Sequence, residues 1–137
     1  KVVTLAILMP IVASMGGSAG MQSLALVIRS QALDQIGSSN SRLLILKEAS
    51  IGVLNGILWS SVVALAVYLW FESIFLGIVI AAALLINLII GAISGVSLPL
   101  ILAKFKIDPA LAGGVILTTI TDIVGFISLL GIATLIL

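Results

Sequence analysis

The sequence predicts an all-α integral membrane protein with four transmembrane helices, and three observations lead there. Of its 137 residues, 62% are hydrophobic and 8% are charged, against about 45–50% and about 25% in soluble domains. The mean hydropathy of +1.45 means more apolar surface than a water-soluble fold of this length can bury. The few charges are spaced so that they divide the chain into long neutral runs. A β-barrel is excluded, because its strands alternate lipid-facing and lumen-facing residues. Residues Ile78 to Ile86 read Ile-Val-Ile-Ala-Ala-Ala-Leu-Leu-Ile, with no alternation.

Each neutral run exceeds the roughly 20 residues that cross a hydrocarbon core. Lys1 and Arg29 enclose 27 uncharged residues, which predicts a first helix over about Val2 to Ile28. This helix is not a signal peptide, since it has no extended basic region before it and its apolar stretch is too long. Glu48 and Glu72 enclose 23 uncharged residues, giving a second helix from about Glu48 to Trp70. Glu72 and Lys104 enclose 31, giving a third from about Ser73 to Ala103. A final run of 29 residues after Asp108, interrupted only by Asp122, gives a fourth from about Pro109 to Ile136. Residues 1–137 are thus expected to form one transmembrane domain with no soluble domain.

The links are short. Gln31 to Ser41 is the longest and carries a Gly-Ser-Ser-Asn turn cluster. Arg29, Arg42, Lys47, Lys104 and Lys106 all fall on one side of this arrangement, which the positive-inside rule makes cytoplasmic. Both chain ends are then expected outside, with Tyr68, Trp70 and Phe71 in an outer aromatic belt. Because residue 1 is Lys at the mouth of a membrane helix, at least one upstream spanning helix is expected to precede it.

Composition also narrows the chemistry. A net charge of +1 supplies no basic patch, so nucleic acid is not an expected partner. With no Cys and no His, there is no thiol or imidazole for catalysis or for zinc. Any metal must bind to oxygen, which favours hard cations such as magnesium or calcium. An intramembrane aspartyl hydrolase needs two carboxylates and only Asp122 lies deep, so no enzymatic activity is expected.

Asp122 is the most informative residue. It follows Asp108 by 14 positions, about 20 Å along a helix, near mid-membrane. A carboxylate there costs roughly 2.5–3.5 kcal/mol on insertion scales and commonly marks an ion or proton path. Gly114, Thr118, Thr119 and Gly125 make a small, polar surrounding on its helix. In the first helix Gly16 and Gly20 form a GxxxG pair, which allows close helix approach. Ser14, Gly17, Ser18 and Met21 share one face, with Gln22 beside them, and Pro10 lies upstream. In the third helix Asn87, Gly91 and Gly95 are spaced by four and face one way, a packing pattern. Asp108-Pro109 reads as a helix start, with Asp as the cap and Pro in the first helical position.

These residues together resemble the membrane domain of the MgtE-type magnesium channel family. The resemblance rests on Gly16-Gly17-Ser18-Ala19-Gly20-Met21-Gln22 with Arg29, Leu46-Lys47-Glu48, Gly95 with Pro99, Asp108-Pro109-Ala110, and Thr118-Thr119-Ile120-Thr121-Asp122-Ile123-Val124-Gly125. It covers nearly the whole chain in order and matches the last four of the family's five membrane helices. It implies a homodimer in a prokaryotic inner or plasma membrane, with a pore between subunits built from the first and fourth helices. Asp122 from both subunits would hold a hydrated magnesium ion, the transported species, with no organic cofactor. Ser14, Gly17, Ser18, Met21, Gly114, Thr118 and Thr121 are expected to line the pore, with Asp108 and Glu48 at its cytoplasmic mouth. Two departures stand out: Ser18 where the family usually has Asn, and Val115 where a Pro is common. The family's cytoplasmic regulatory domains are absent from these residues. The alternative function is that of a proton-translocating membrane subunit with Asp122 as the proton carrier.

Overall fold

Four helices account for almost all of the residues that the computed structural model describes, 2–33 and 41–136. They are α1 (Val2–Ala32), α2 (Ser41–Phe71), α3 (Ile74–Lys104) and α4 (Pro109–Ile136). All four are long and apolar enough to cross a membrane. A helix of 31 residues is about 46 Å long, so the ends reach past a hydrocarbon core of about 30 Å. This explains two differences from the expected boundaries. α1 continues past Ile28 to Ala32, and α2 begins at Ser41 rather than at Glu48. Charge spacing predicts only the apolar part of each span, and the helices run on to include Arg29, Arg42 and Lys47. Residues 34–40 of the expected turn cluster lie outside the described residues.

α3 is the central element and packs against the other three helices, while α1 also packs along α4. The order of burial follows. α3 has the highest mean hydropathy of the four spans, 2.8, and half of that window is buried. The others bury one face each. On α4 the buried residues are Gly113, Leu117, Thr121, Gly125, Leu129 and Ala133, each four after the last. That row is an i±4n ridge, one of the surface rows by which helices interlock. Glu48, Gly52, Gly56 and Ser60 form a similar row on α2.

The two GxxxG pairs meet each other within the chain. A Cβ added at Gly91 would lie 2.5 Å from the Gly16 carbonyl oxygen, and one at Gly20 would lie 2.9 Å from the Gly91 carbonyl oxygen. A Cβ at Gly95 would collide with the Gly20 carbonyl. Backbone therefore touches backbone where α1 crosses α3. Asn87, one turn along, is fully buried and donates from Nδ2 to the Val12 carbonyl at 2.8 Å. Gly16 on α1 and Gly125 on α4 leave the space its amide fills. Pro10 does not interrupt α1.

The turns are tight and locally encoded. Glu72 takes φ 52° at the end of α2, and Ser73 caps α3 by accepting from the Leu76 amide at 3.3 Å. α3 ends in a Schellman motif. Lys106 has φ 58°, its amide donates to Ala103, and the Ile107 amide donates to Leu102. Asp108 then caps α4, its Oδ1 accepting from the Ala110 amide at 3.0 Å, with Pro109 as the first helical residue.

Candidate functional site

α1 and α4 lie side by side, and their contact orients the polar residues of both. A Cβ at Gly17 would be 3.6 Å from Thr121 Oγ1, and one at Gly114 would be 3.8 Å from Met21 Sδ. The row Gly114, Thr118, Asp122 on α4 therefore borders the row Ser14, Gly17, Met21 on α1. Ser14, Met21, Thr118 and Asp122 are exposed and the two glycines are half-buried. In water this is unremarkable. In a membrane it presents a carboxylate, two hydroxyls and two bare backbone stretches to whatever lies outside the bundle, a costly face unless water, an ion or another chain meets it.

Thr118 shows how the face is kept open. Its hydroxyl donates back to the Gly114 carbonyl at 3.0 Å, which leaves its oxygen lone pairs outward. Asp122 lies one turn further on, about 20 Å along α4 from the Asp108 cap. Among the described residues no three acidic or metal-binding side chains converge on one point. A single chain thus offers one carboxylate at this depth among the described residues.

Three of the residues expected at the pore or its mouth lie off this exposed row. Thr121 is fully buried, on the interlocking ridge of α4 against Gly17, and its hydroxyl donates to the Thr118 carbonyl at 3.2 Å. Ser18 lies about 100° around α1 from Gly17 and lines a groove between α1 and α2 instead. Glu48, expected at the mouth beside Asp108, is buried in that same groove and accepts a hydrogen bond from Ser23 Oγ at 3.0 Å. Asp108 is exposed at the α3–α4 turn. The groove also contains Asn55, which sequence reasoning passes over. Its signal is the spacing: seven after Glu48 and three after Gly52 is the same side of a helix.

Comparison with known proteins shows the family. Residues 9–132 match the family model MgtE, described as a divalent cation transporter. The chain is 40% identical over 134 residues to the magnesium transporter MgtE of Bacillus subtilis, a match covering 98% of this chain and 30% of that protein. It is 31% identical over 136 residues to the magnesium transporter MgtE of Thermus thermophilus, covering 99% and 30%. It is 30% identical over 131 residues to that of Enterococcus faecalis, covering 96% and 29%. The chain spans about 30% of the length of these relatives. With four apolar helices of membrane-crossing length and a family match over nearly all of its residues, this integral membrane chain belongs to the MgtE family of divalent cation transporters.

Proposed function

We propose that this chain forms the ion pathway of a magnesium transporter, built at a homodimer interface along the α1–α4 face. The observation that carries the reading is the exposed row Gly114, Thr118, Asp122 beside Ser14, Gly17 and Met21. Two copies meeting on this face bring two Asp122 carboxylates to one axis, as a two-fold interface requires. Magnesium sheds its water reluctantly and prefers octahedral oxygen coordination. A pathway lined by carboxylates, hydroxyls and backbone carbonyls can hydrogen-bond that water shell and leave it in place. The two carboxylates balance the charge of one dication. No bond is made or broken, and the ion moves down its electrochemical gradient. The relatives named as magnesium transporters support magnesium as the cargo. The cation-rich ends of α1, α2 and α3 support a cytoplasmic location for the Asp108 side.

Disulfide cross-linking tests the interface. The sequence has no natural Cys, so Thr118→Cys provides a single reporter within these residues. In native membranes the full-length protein carrying it is expected to form a cross-linked dimer under mild oxidation. Cross-linking through cysteines on the outer face of α2, such as Leu58→Cys, with none at Thr118, would put the interface elsewhere.

A further inference from the structure

We propose that Glu48 heads a second cation site, in the groove between α1 and α2 and apart from the α1–α4 face. The two helices diverge here over α3, leaving a cavity of about 120 Å³ lined by Gln22, Ser23, Glu48 and Asn55 above Leu88 and Ala92. A second cavity of about 160 Å³ continues it past Gln22 and Asn55 to Ser18. Together they hold room for several waters.

The carboxylate demands a partner. Glu48 is 6% exposed, and a buried charge is normally paired, bound to a metal or neutralised. The hydroxyl of Ser23 serves one oxygen, but a neutral hydrogen bond does not balance a charge. No ion pair reaches Glu48 among the described residues. The cations nearest along the chain, Lys47 and Arg42, are exposed, as is Arg29. The elements packed against it present only neutral groups, Gln22 and Ser23 from α1 and Leu88 and Ala92 from α3. The Glu48 side chain lines the cavity together with the amide side chains of Gln22 and Asn55.

The donor set selects the ligand. One carboxylate with neutral oxygens and water suits a hard cation that keeps much of its hydration, as magnesium does when bound through one or two carboxylates. Of the polar residues of α2, Glu48 and Asn55 line the groove, while Leu54, Leu58, Leu65 and Leu69 are exposed and suited to lipid. A cation held there bridges α2 to Ser23 of α1, the helix that carries Met21 and Gly17.

The test uses the full-length protein with a fluorine-labelled cysteine replacing Ile51, which borders the cavity, and Mn²⁺ as a paramagnetic probe. Mn²⁺ is expected to broaden the label signal in the otherwise wild-type protein and equally in Asp122→Asn, with Mg²⁺ reversing the effect. Glu48→Gln is expected to raise the Mn²⁺ midpoint about tenfold, equivalent to about 1.4 kcal/mol. Asn55→Leu leaves the Ser23–Glu48 bond intact and is expected to raise it about threefold, a smaller loss of binding free energy. It serves as the test if Glu48→Gln does not fold. An unchanged midpoint in whichever of these variants folds overturns the second site, as does the absence of broadening in the wild type. Loss of broadening in Asp122→Asn also overturns it, because the cation seen is then that of the α1–α4 face. Broadening kept in Asp122→Asn alongside unaltered magnesium transport would instead count against the proposed ion pathway alone.

Discussion

Replacing Gly91 by alanine inserts one methyl group where the backbones of α1 and α3 cross. The new Cβ would sit 2.5 Å from the Gly16 carbonyl oxygen, with the Gly20 amide nitrogen at 3.5 Å. The near atoms are backbone, so no side chain can turn away. α1 and α3 must separate by most of an ångström to reach ordinary contact. Overpacking of this kind costs about 1–3 kcal/mol, and it displaces Gly17 and Met21 along with α1. The control is Gly131→Ala on α4, where a Cβ meets nothing within 4 Å. There alanine is favoured by about 1 kcal/mol of helix propensity. Thermal unfolding of both variants in the same detergent, followed by tryptophan fluorescence, compares them directly. Gly91→Ala is expected to unfold several degrees below wild type and Gly131→Ala at or above it. A Gly91→Ala protein as stable as wild type would refute the backbone crossing of the two GxxxG pairs.

Two other expectations follow from local geometry. Asn87→Leu keeps most of the volume but loses the hydrogen bond to Val12; helix-to-helix bonds of this kind in membranes contribute about 0.6 kcal/mol. A small drop in the unfolding midpoint is therefore expected, with a larger one for Asn87→Ala, which also leaves a void between α1, α3 and α4. Equal losses in both would show that packing contributes nothing there. Glu72→Gly and Lys106→Gly place glycine at φ 52° and φ 58°, where other L-residues pay about 1–2 kcal/mol. Each is expected to raise stability slightly, and a fall in either would mean that the side chain makes an unseen favourable contact.

Much of this fold is written in charge spacing. The third and fourth helices agree with expectation to within a residue at each end, because Ser73, Lys104 and Asp108 coincide with a cap, a C-terminal turn and a cap. The first and second overrun, since a helix is free to continue into the headgroup region while a hydrophobic run is not. Asn87, Gly91 and Gly95 do face one way, toward α1, but spacing alone does not say which helix they meet. Asp122, Thr118 and Gly114 were legible as a face because a mid-membrane carboxylate has few innocent explanations. Thr121 was not distinguishable from Thr118 by composition. Only the ridge that seats α4 decides that Thr121 is buried and Thr118 is not. Glu48 was expected at the cytoplasmic mouth beside Asp108, and its burial depends on α2 bringing it beside Ser23 of α1, which no local pattern encodes.

The central claim is that Asp122 holds the transported dication at mid-membrane. The most direct measurement is Mg²⁺ influx into proteoliposomes containing the full-length protein, its Asp122→Asn variant and its Asp122→Glu variant, with reconstitution checked by the Thr118→Cys dimer. Asparagine keeps the size and polarity of the side chain and removes only the charge, so Asp122→Asn is expected to abolish most of the flux while the dimer still cross-links. Asp122→Glu retains the charge on a longer arm and is expected to keep partial flux. Wild-type influx through Asp122→Asn would contradict the account and leave Asp122 as a residue of helix packing.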